Sequence, residues 1–419
     1  MPARTITRLL IANRGEIAVR IAHACRALDV VPVAVVSEAD RGALHSRVAA
    51  ETVLIGPAPA AESYLRVDRL IAAARERRCE AIHPGYGFLS QSAEFAEAVE
   101  GAGLVFIGPP PAAMRLMGDK IAARRTMTGA GVPVVPGFEG TGDEAEPVFR
   151  KEADRIGYPI LVKAAGGGGG RGMRVVRSPE GLGAALESAR REAQRGFGDP
   201  RLFLEKAIEG AHHVEVQVLA DGRGGCVHLF ERDCSLQRRF QKIVEESPSP
   251  LVDDALRDEM GRAAVAAARA CGYVNAGTIE FLVGPDLRPY FLEMNTRIQV
   301  EHPVTEMVTG IDLVQAQIRI ASGEPLPVRQ EDVVRRGHAL ECRVNAEDPG
   351  RGFMPSTGRL LLAAFPSGDG IRVDAGVATG DTVSPHYDAL LAKIIVHAAD
   401  RPASLNLMRE TLAKTAILG

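Results

Sequence analysis

The first part of the chain alternates between short apolar runs and amphipathic runs with helical spacing. Residues 8–12 and 30–36 are apolar enough for buried strands, and Ile17 and Ile21 between them recur at the spacing of one helix face. Later runs repeat the same strand–helix order. This order predicts a parallel sheet with helices on both faces, which is a Rossmann-like scaffold over residues 1–118.

The composition and one missing motif exclude several classes of function. The 419 residues are 46% hydrophobic and 25% charged, which is typical of a globular protein with roughly two to four domains. A net charge of -3 and 5% aromatic residues argue against a nucleic-acid or membrane-surface binder. The segment after the first strand, residues 13–16, lacks the GxGxxG pattern of a dinucleotide site.

Cellular location is predicted from what the sequence does not contain. No run approaches the length of a transmembrane span, and the first eight residues lead directly into an apolar strand without a signal or transit peptide. The six cysteines are widely spaced and form no CxxC pair, so we expect reduced thiols. Together these observations predict a cytoplasmic protein with no membrane contact.

The pattern changes after the prolines at 109–111. Residues 119–325 read as a second domain with short antiparallel strands, of which about 135–207 form a mobile lid. The chain becomes strand-rich again after Pro325, and we expect a third domain over residues 326–419. The predicted fold class is therefore α/β followed by α+β: a Rossmann-like N-terminal domain, a central domain with a lid, and a mixed C-terminal domain.

A predicted hairpin carries the strongest functional signal. Its strands are residues 278–283 and 289–295, and a turn symmetric about residues 286–287 would place Glu280 directly opposite Glu293. Like charges that face each other across strands are destabilising. A divalent cation between them would remove the repulsion, and the apolar neighbours argue against the alternative of a solvated pair on an outer face.

Residues that follow the hairpin extend the same polar face. Asn295 completes an all-oxygen set suited to Mg²⁺ or Mn²⁺. Arg297, Gln299 and Glu301 occupy the next odd positions and share this face while the chain stays extended. Arg297 is suited to hold a planar oxyanion, and Glu301 is suited to act as a base.

Three further polar segments are open to two interpretations each. The glycine run 166–172 lies beside Lys163 and contains Arg171, so it is either a flexible hairpin loop or a flap over a nucleotide. Residues 213–219 form either a half-exposed strand or the wall of a ribose and metal site. The basic run 237–242 is either a solvated turn or a source of cations for a phosphate or substrate.

Arg343 is a further candidate site residue. It lies within an apolar, strand-like run, and a charged residue in that setting needs a partner.

Several strings resemble a known family. Lys120, Lys163, the glycine run, Glu205 and the carboxylate hairpin resemble the ATP-grasp ligases. Within that superfamily the chain resembles biotin carboxylase from about residue 6 to its end. Three strings carry this narrower resemblance: residues 83–89 (HPGYGFL), 231–235 (ERDCS) and 293–302 (EMNTRIQVEH).

The resemblance implies a role for each matching residue. ATP would be bound by Lys120, Lys163, Gly166, Gly167, Gly168, Gly169, Gly170, Met173, Glu205, Lys206, Ile208, His213, Gln237, Glu280 and Leu282. Two Mg²⁺ or Mn²⁺ ions would be bound by Glu280, Glu293 and Asn295. Bicarbonate would be bound by Lys242, Arg297, Gln299, Val300 and Glu301, with Glu301 as the base. Biotin would be bound by Tyr86 and Arg343, and Arg343 would stabilise its enolate.

The resemblance also implies a reaction and partners. In the family, bicarbonate attacks the γ-phosphate of ATP to give carboxyphosphate, which breaks down to CO₂ and phosphate. The phosphate then deprotonates biotin N1 for attack on CO₂, the first half-reaction of an acyl-CoA carboxylase. The implied partners are a biotin carboxyl carrier protein or domain, a carboxyltransferase subunit and a second copy in a homodimer.

Three features stand out against the family pattern. The chain has no Met-Lys-Met biotinylation site, so biotin is expected on a separate chain or domain, and relatives continue beyond Gly419 with a helical segment, so we expect a truncated C-terminal domain. Phe240 stands where many relatives carry histidine, and one polar contact near the nucleotide is expected to be absent.

Two other functions remain as alternatives. One is another ATP-grasp ligase that forms an acyl-phosphate, and the other is a non-catalytic nucleotide-binding subunit. The combination of Gln299, Glu301 and Arg343 favours the biotin carboxylase interpretation over the first, and the presence of a complete metal and base set favours it over the second.

Overall fold

A computed structural model of the protein describes residues 5–140, 144–164 and 173–419. The N-terminal region contains the predicted parallel sheet, with strand order β3-β2-β1-β4-β5. Its strands are β1 (Arg8–Ile11), β2 (Val31–Ser37), β3 (Glu51–Gly56), β4 (Ala81–His83) and β5 (Val105–Phe106). Its helices are α1 (Gly15–Ala27), α2 (Leu44–Val48), α3 (Val67–Glu76), α4 (Ala93–Gly101) and α5 (Pro111–Gly118). The Rossmann-like prediction is confirmed, and β3 is the strand that the sequence pattern did not reveal.

A second, smaller sheet lies within the predicted lid. Helix α6 (Lys120–Gly129) precedes it, and the sheet is antiparallel in the order β6-β9-β7-β8. Its elements are β6 (Gly137–Glu139), α7 (Glu146–Ile156), β7 (Ile160–Ala164), β8 (Arg174–Val176), α8 (Leu182–Phe197) and β9 (Leu202–Lys206). Buried apolar residues from both helices and three of the strands form one core, so the lid has its own hydrophobic interior.

The largest sheet has eight strands in the order β14-β13-β10-β11-β12-β15-β22-β20, and its neighbouring strands are antiparallel. Five of its strands are β10 (His212–Ala220), β11 (Cys226–Arg238), β12 (Gln241–Ser247), β13 (Asn275–Val283) and β14 (Pro289–Asn295), and helix α9 (Asp254–Ala270) packs against this part of the sheet. Helices α10 (His302–Thr309) and α11 (Leu313–Ala321) follow β14.

Three C-terminal strands, β15 (His338–Asn345), β20 (Ile371–Ala375) and β22 (Leu390–Ala398), extend this same sheet. Six shorter strands form separate two-stranded sheets: β16 (Glu347–Asp348) with β17 (Met354–Pro355), β18 (Gly358–Arg359) with β21 (Thr382–Val383), and β19 (Leu362–Ala364) with β23 (Ala416–Leu418). Helix α12 (Arg401–Ala413) lies between β22 and β23. Strand β15 pairs with β12, so the last two predicted domains share one hydrogen-bonded ladder. Where one domain stops and the next begins stays a prediction.

Two further observations concern the whole of the described chain. All six cysteines are free, as expected for reduced thiols. In the part of the chain that the structure describes, no helix combines the length and the apolar character needed to cross a membrane.

Candidate active site

Four charged side chains form one row across the large sheet. Arg232 on β11 pairs with Glu215 on β10, Glu215 pairs with Glu280 on β13, and Glu280 pairs with Glu293 on β14. Directly paired residues project from the same face of a sheet. Three carboxylates and one guanidinium are therefore adjacent, and the interpretation of β10 as a half-exposed strand is wrong, because Glu215 is fully buried.

The register of the β13–β14 hairpin confirms that Glu280 faces Glu293, although by a different route from the predicted one. Near the turn, Phe281 pairs with Phe291, which centres these pairs on Asp286 alone. One extra residue on β14 then shifts the register before Glu280. This bulge places the two carboxylates opposite each other.

Lys242 lies at the centre of the carboxylates. Its ammonium donates to Glu215 at 2.7 Å, to Glu280 at 2.9 Å and to Glu301 at 2.7 Å. Burial alone would lower the pKa of Lys242, but the three carboxylates raise it well above its ordinary value. Lys242 is therefore a permanent cation within the row.

The basic run 237–242 divides between the two interpretations offered by the sequence. Residues 239 and 240 form the exposed turn of a hairpin, with Phe240 75% exposed. Gln237 lies opposite Lys242 and donates to the backbone carbonyl of Cys234 at 2.9 Å. The β11–β12 register shifts just before this pair, and the shift allows Lys242 to reach the carboxylates.

The segment after β14 reaches the same cluster without staying extended. The strand ends at Asn295 and the chain bends before α10 begins at His302. Arg297 nevertheless donates to Asn295 at 3.2 Å and to Gln299 at 2.5 Å, and Gln299 donates to Glu280 at 3.0 Å. The predicted grouping is therefore confirmed, although its predicted cause, a continuous strand, is wrong.

Arg343 has the partners that its buried position required. Its Nε donates to Glu245 at 2.6 Å, and its Nη2 donates to Glu301 at 3.0 Å. Glu245 is fully buried, and Arg343 keeps a minor exposed fraction. Among the described residues, Nη1 is the one nitrogen of this guanidinium that has no hydrogen bond. One edge of Arg343 is thus fixed and the other is available to a ligand.

Glu301 is buried among cations. Burial by itself would raise the pKa of Glu301, but Lys242, Arg343 and Arg232 lower it well below its ordinary value. The Cys234 thiol also lies 3.8 Å from its carboxylate. At neutral pH Glu301 is consequently ionised, and it accepts hydrogen bonds from Lys242 and Arg343.

The donor set Glu280, Glu293 and Asn295 fits a divalent cation. Glu280 is buried, whereas Glu293 lies at an exposed edge, so the pair is partly buried. Partial desolvation and the neighbouring Glu280 charge raise the pKa of Glu293, and no described residue forms a hydrogen bond with its carboxylate. The Glu280 carboxylate accepts from Asn295 at 2.8 Å and lies 3.0 Å from His213 Nε2. A hard cation between the two carboxylates would satisfy Glu293 and offset the repulsion.

A cavity that opens to solvent lies between the lid sheet and the large sheet. Lys120, Lys163, Glu205 and Glu293 line it, together with apolar residues such as Phe203. Lys163 forms an ion pair with Glu205. Burial lowers the pKa of Lys120, and Glu293 counters this effect. A polyanion such as a triphosphate is complementary to these two lysines.

Several predicted residues lie elsewhere or cannot be assessed. Met173, Ile208 and Leu282 do not line this cavity, and the Lys206 ammonium donates to the carbonyls of Gly157 and Tyr158 at 2.9 and 2.8 Å. Glycines 166–170 lie outside the described residues. Their roles in ATP binding stay predictions.

Tyr86 and Val300 are linked by polar contacts through Glu16 and Lys393, two residues that the sequence analysis missed. The Tyr86 hydroxyl donates to Glu16, which lies 3.3 Å from the ammonium of Lys393. Lys393 also donates to the carbonyl of Val300 at 2.8 Å. Lys393 is fully buried within an apolar strand, so the argument applied to Arg343 would have found it.

Comparisons with known proteins identify the family of this chain. Three family profiles match: "Biotin carboxylase, N-terminal domain" over residues 5–114, "Carbamoyl-phosphate synthase L chain, ATP binding domain" over 119–329, and "Biotin carboxylase C-terminal domain" over 341–419. The biotin carboxylase of Pseudomonas aeruginosa is 52% identical over 414 residues, which are 99% of this chain and 92% of that protein. The α subunit of mitochondrial methylcrotonoyl-CoA carboxylase from Rattus norvegicus is 50% identical over 419 residues. The chain spans 58% of that relative's length.

Solved structures of similar proteins have the same fold. The biotin carboxylase of Campylobacter jejuni, in complex with β,γ-ATP, has a TM-score of 0.94 at 44% identity, covering 99% of this chain and 92% of that one. The biotin carboxylase domain dimer of the Hydrogenobacter thermophilus 2-oxoglutarate carboxylase, with MgADP, ADP and bicarbonate, has a TM-score of 0.93 at 46% identity, covering 99% and 91%. By its sequence and its fold, this chain belongs to the biotin carboxylase family.

Proposed function

We propose that this chain carboxylates biotin with bicarbonate and ATP. The observation that carries the proposal is the meeting of Lys242, Arg297 and Glu301 beside the Glu280–Glu293 pair. An anion site next to a metal pair suits an enzyme that transfers a phosphoryl group to an oxyanion. The solved relatives whose titles name MgADP and bicarbonate support the same pair of ligands.

Bicarbonate would bind between Arg297 and Lys242. The Arg297 guanidinium and the Gln299 amide would contact its oxygens, with the Val300 N–H as a further donor. No described residue accepts a hydrogen bond from that N–H. The anion would take over part of the hydrogen bonding that Lys242 now gives to the carboxylates.

Glu301 would be the base for bicarbonate. Its lowered pKa makes it a weak base while Lys242 and Arg343 both bind it. When the anion draws the Lys242 ammonium away, Glu301 loses a cation and its basicity rises. The substrate would thus activate its own base.

ATP would bind in the cavity of Lys120 and Lys163, beside His213 and Gln237. Mg²⁺ or Mn²⁺ held by Glu280, Glu293 and Asn295 would neutralise charge on the transferred phosphoryl group. The lysines would orient the phosphates. Burial by itself would lower the pKa of His213, but the Glu280 carboxylate, 3.0 Å from its Nε2, raises it.

Biotin would lie on the Arg343 side of the site. The free Nη1 edge of Arg343 is available to stabilise negative charge on the ureido oxygen, and Tyr86 would line the pocket. A biotin carrier protein or domain, a carboxyltransferase subunit and a second copy of the chain would be the partners. The names of the relatives support these partners, because one is a carboxylase subunit and another structure is a domain dimer.

The test is bicarbonate-dependent ATP hydrolysis with Mg²⁺, with and without free biotin. We expect hydrolysis to require bicarbonate and biotin to be carboxylated. Arg343→Ala should abolish biotin carboxylation and leave part of the bicarbonate-dependent ATPase. The same rate of ATP hydrolysis with and without bicarbonate would refute the proposal. If Arg343→Ala keeps both activities, the role of Arg343 is refuted.

A further inference from the structure

Two buried glutamates lie behind Arg343 and have no role in the function proposed above. Glu245 on β12 and Glu341 on β15 are direct partners across the antiparallel pair. Both side chains are fully buried. Direct partners of this kind have Cβ atoms about 5 Å apart, so the two carboxyl groups are neighbours on one face.

Three of their four carboxyl oxygens have no hydrogen-bond partner among the described residues. These are Oε2 of Glu245 and both oxygens of Glu341. Buried polar atoms are nearly always hydrogen-bonded, and two adjacent ionised carboxylates in such a place would be costly. A single proton between them would satisfy an oxygen of each residue and remove one charge.

The charged groups around the pair do not supply that partner. Lys393 on β22 directs its ammonium to Val300 and Glu16, at 2.8 and 3.3 Å. Arg343 on β15 binds Oε1 of Glu245 and the Glu301 carboxylate. The imidazole of His302, at the start of α10, is also buried, and burial holds its pKa well below the ordinary value. It is therefore neutral.

We propose that Glu245 and Glu341 share one proton, which rests on Glu341, and that this acid pair orients Arg343. The proton rests on Glu341 because the guanidinium of Arg343 binds Glu245 and keeps it ionised. The Glu341 acid then donates to the free oxygen of Glu245. Burial agrees with this assignment, since it raises the pKa of Glu245 to about 7 and that of Glu341 well above its ordinary value.

The pair would act as a positioning device for the biotin step. Glu245 accepts a hydrogen bond from Nε of Arg343, so that Nη1 remains free to face the ligand. With one proton, the pair carries one negative charge, enough to hold Arg343. A second negative charge would compete with the charge that Arg343 is to stabilise on biotin. This part of the inference rests on the proposed function of Arg343.

Infrared difference spectra of the full chain test the proton directly. At neutral pH, wild type minus Glu341→Gln should show the C=O band of a protonated carboxylic acid, and the band should shift in heavy water. Glu245→Gln should move this band, because it replaces the acceptor. If the difference spectrum contains only carboxylate bands, or if Glu245→Gln leaves the carboxylic-acid band unmoved, the hypothesis of a shared proton is refuted.

Partial reactions test the positioning role. Glu245→Gln should slow biotin carboxylation by about tenfold or more, roughly one unit in log rate, while bicarbonate-dependent ATPase stays within about twofold. The retained ATPase also reports that the variant is folded. Equal loss of both activities would overturn the positioning role, whereas absence of bicarbonate-dependent ATPase from wild type would instead refute the proposed function.

Discussion

Arg232 is expected to be a major source of stability, and its replacement is a sharp test of the charge row. It is fully buried and donates to Glu215 at 2.6 Å, Gln217 at 2.8 Å, Thr305 at 2.9 Å and Thr278 at 3.1 Å. Arg232→Met keeps much of the side-chain volume and removes all four hydrogen bonds. The carboxylate of Glu215 then stays buried without its closest cation.

The expected loss in the free energy of unfolding depends on the buried Glu215 carboxylate that Arg232→Met leaves without this partner. Removal of one partner of a buried ion pair costs about 3–5 kcal/mol when the other charge stays buried without a partner. Because Lys242 still donates to Glu215 at 2.7 Å, we expect the lower end of this range. A matched control is Arg401→Met, since Arg401 binds Glu246 at 2.6 and 3.0 Å but is 43% exposed. For that half-exposed pair we expect a cost of about 1 kcal/mol or less.

The assay is urea unfolding followed by far-ultraviolet circular dichroism, because the chain has no tryptophan. The double variant Arg232→Met with Glu215→Leu removes both charges and should recover most of the loss. Equal costs for Arg232→Met and Arg401→Met would refute the reasoning. So would a double variant that is less stable than Arg232→Met alone.

Three further results are expected. Mg²⁺ or Mn²⁺ should raise the thermal unfolding midpoint of wild type, and Glu293→Gln should abolish this gain because it removes both a ligand and the repulsion of Glu280; an unchanged gain would contradict the metal site. Replacing Arg239 by Asn and Phe240 by Gly, both at positive φ in an exposed turn, should raise the free energy of unfolding by about 1 kcal/mol in the urea assay, and no gain would contradict strain there. Burial lowers the pKa of His45 from 6.5 to about 4. At His45 the unfolded chain therefore binds more protons in this window, and this residue alone should lower the free energy of unfolding by up to about 3 kcal/mol as pH drops through it. Buried His83, whose pKa is lowered to about 3, adds to the same trend. His45→Gln should flatten this dependence, and an unchanged slope would contradict the assignment.

The sequence predicted the carboxylate hairpin because strand alternation needs only local information. Glu280 and Glu293 were placed opposite each other from the turn between them, although the turn centre was misjudged by half a residue and a bulge compensated. Bulges depend on the tertiary fit of a strand, so the pattern does not reveal them. For the same reason, the sequence predicted that residues 297–301 group together but did not predict the bends of the backbone that bring them together.

Contacts between distant strands could not be predicted in this way. The pairing of β12 with β15 joins residues about 100 positions apart, and it brings Glu245 to Arg343. Residues 241–247 are mostly polar and do not read as a buried strand. Arg232 was included in the ERDCS string, but its role depends on β10, β13 and α10 together, which no local pattern encodes.

The continuity of the eight-stranded sheet restricts how the length of the chain can vary. Successive side chains of a strand point to opposite faces, so one inserted or deleted residue reverses every side chain beyond it. Within β15, such a change between Glu341 and Arg343 would turn one of them into the opposite core, where Leu340 and Ile394 now pack. Insertions are therefore expected in turns such as the one after Val283, and the lengths of β12 and β15 should be preserved wherever this chemistry is preserved.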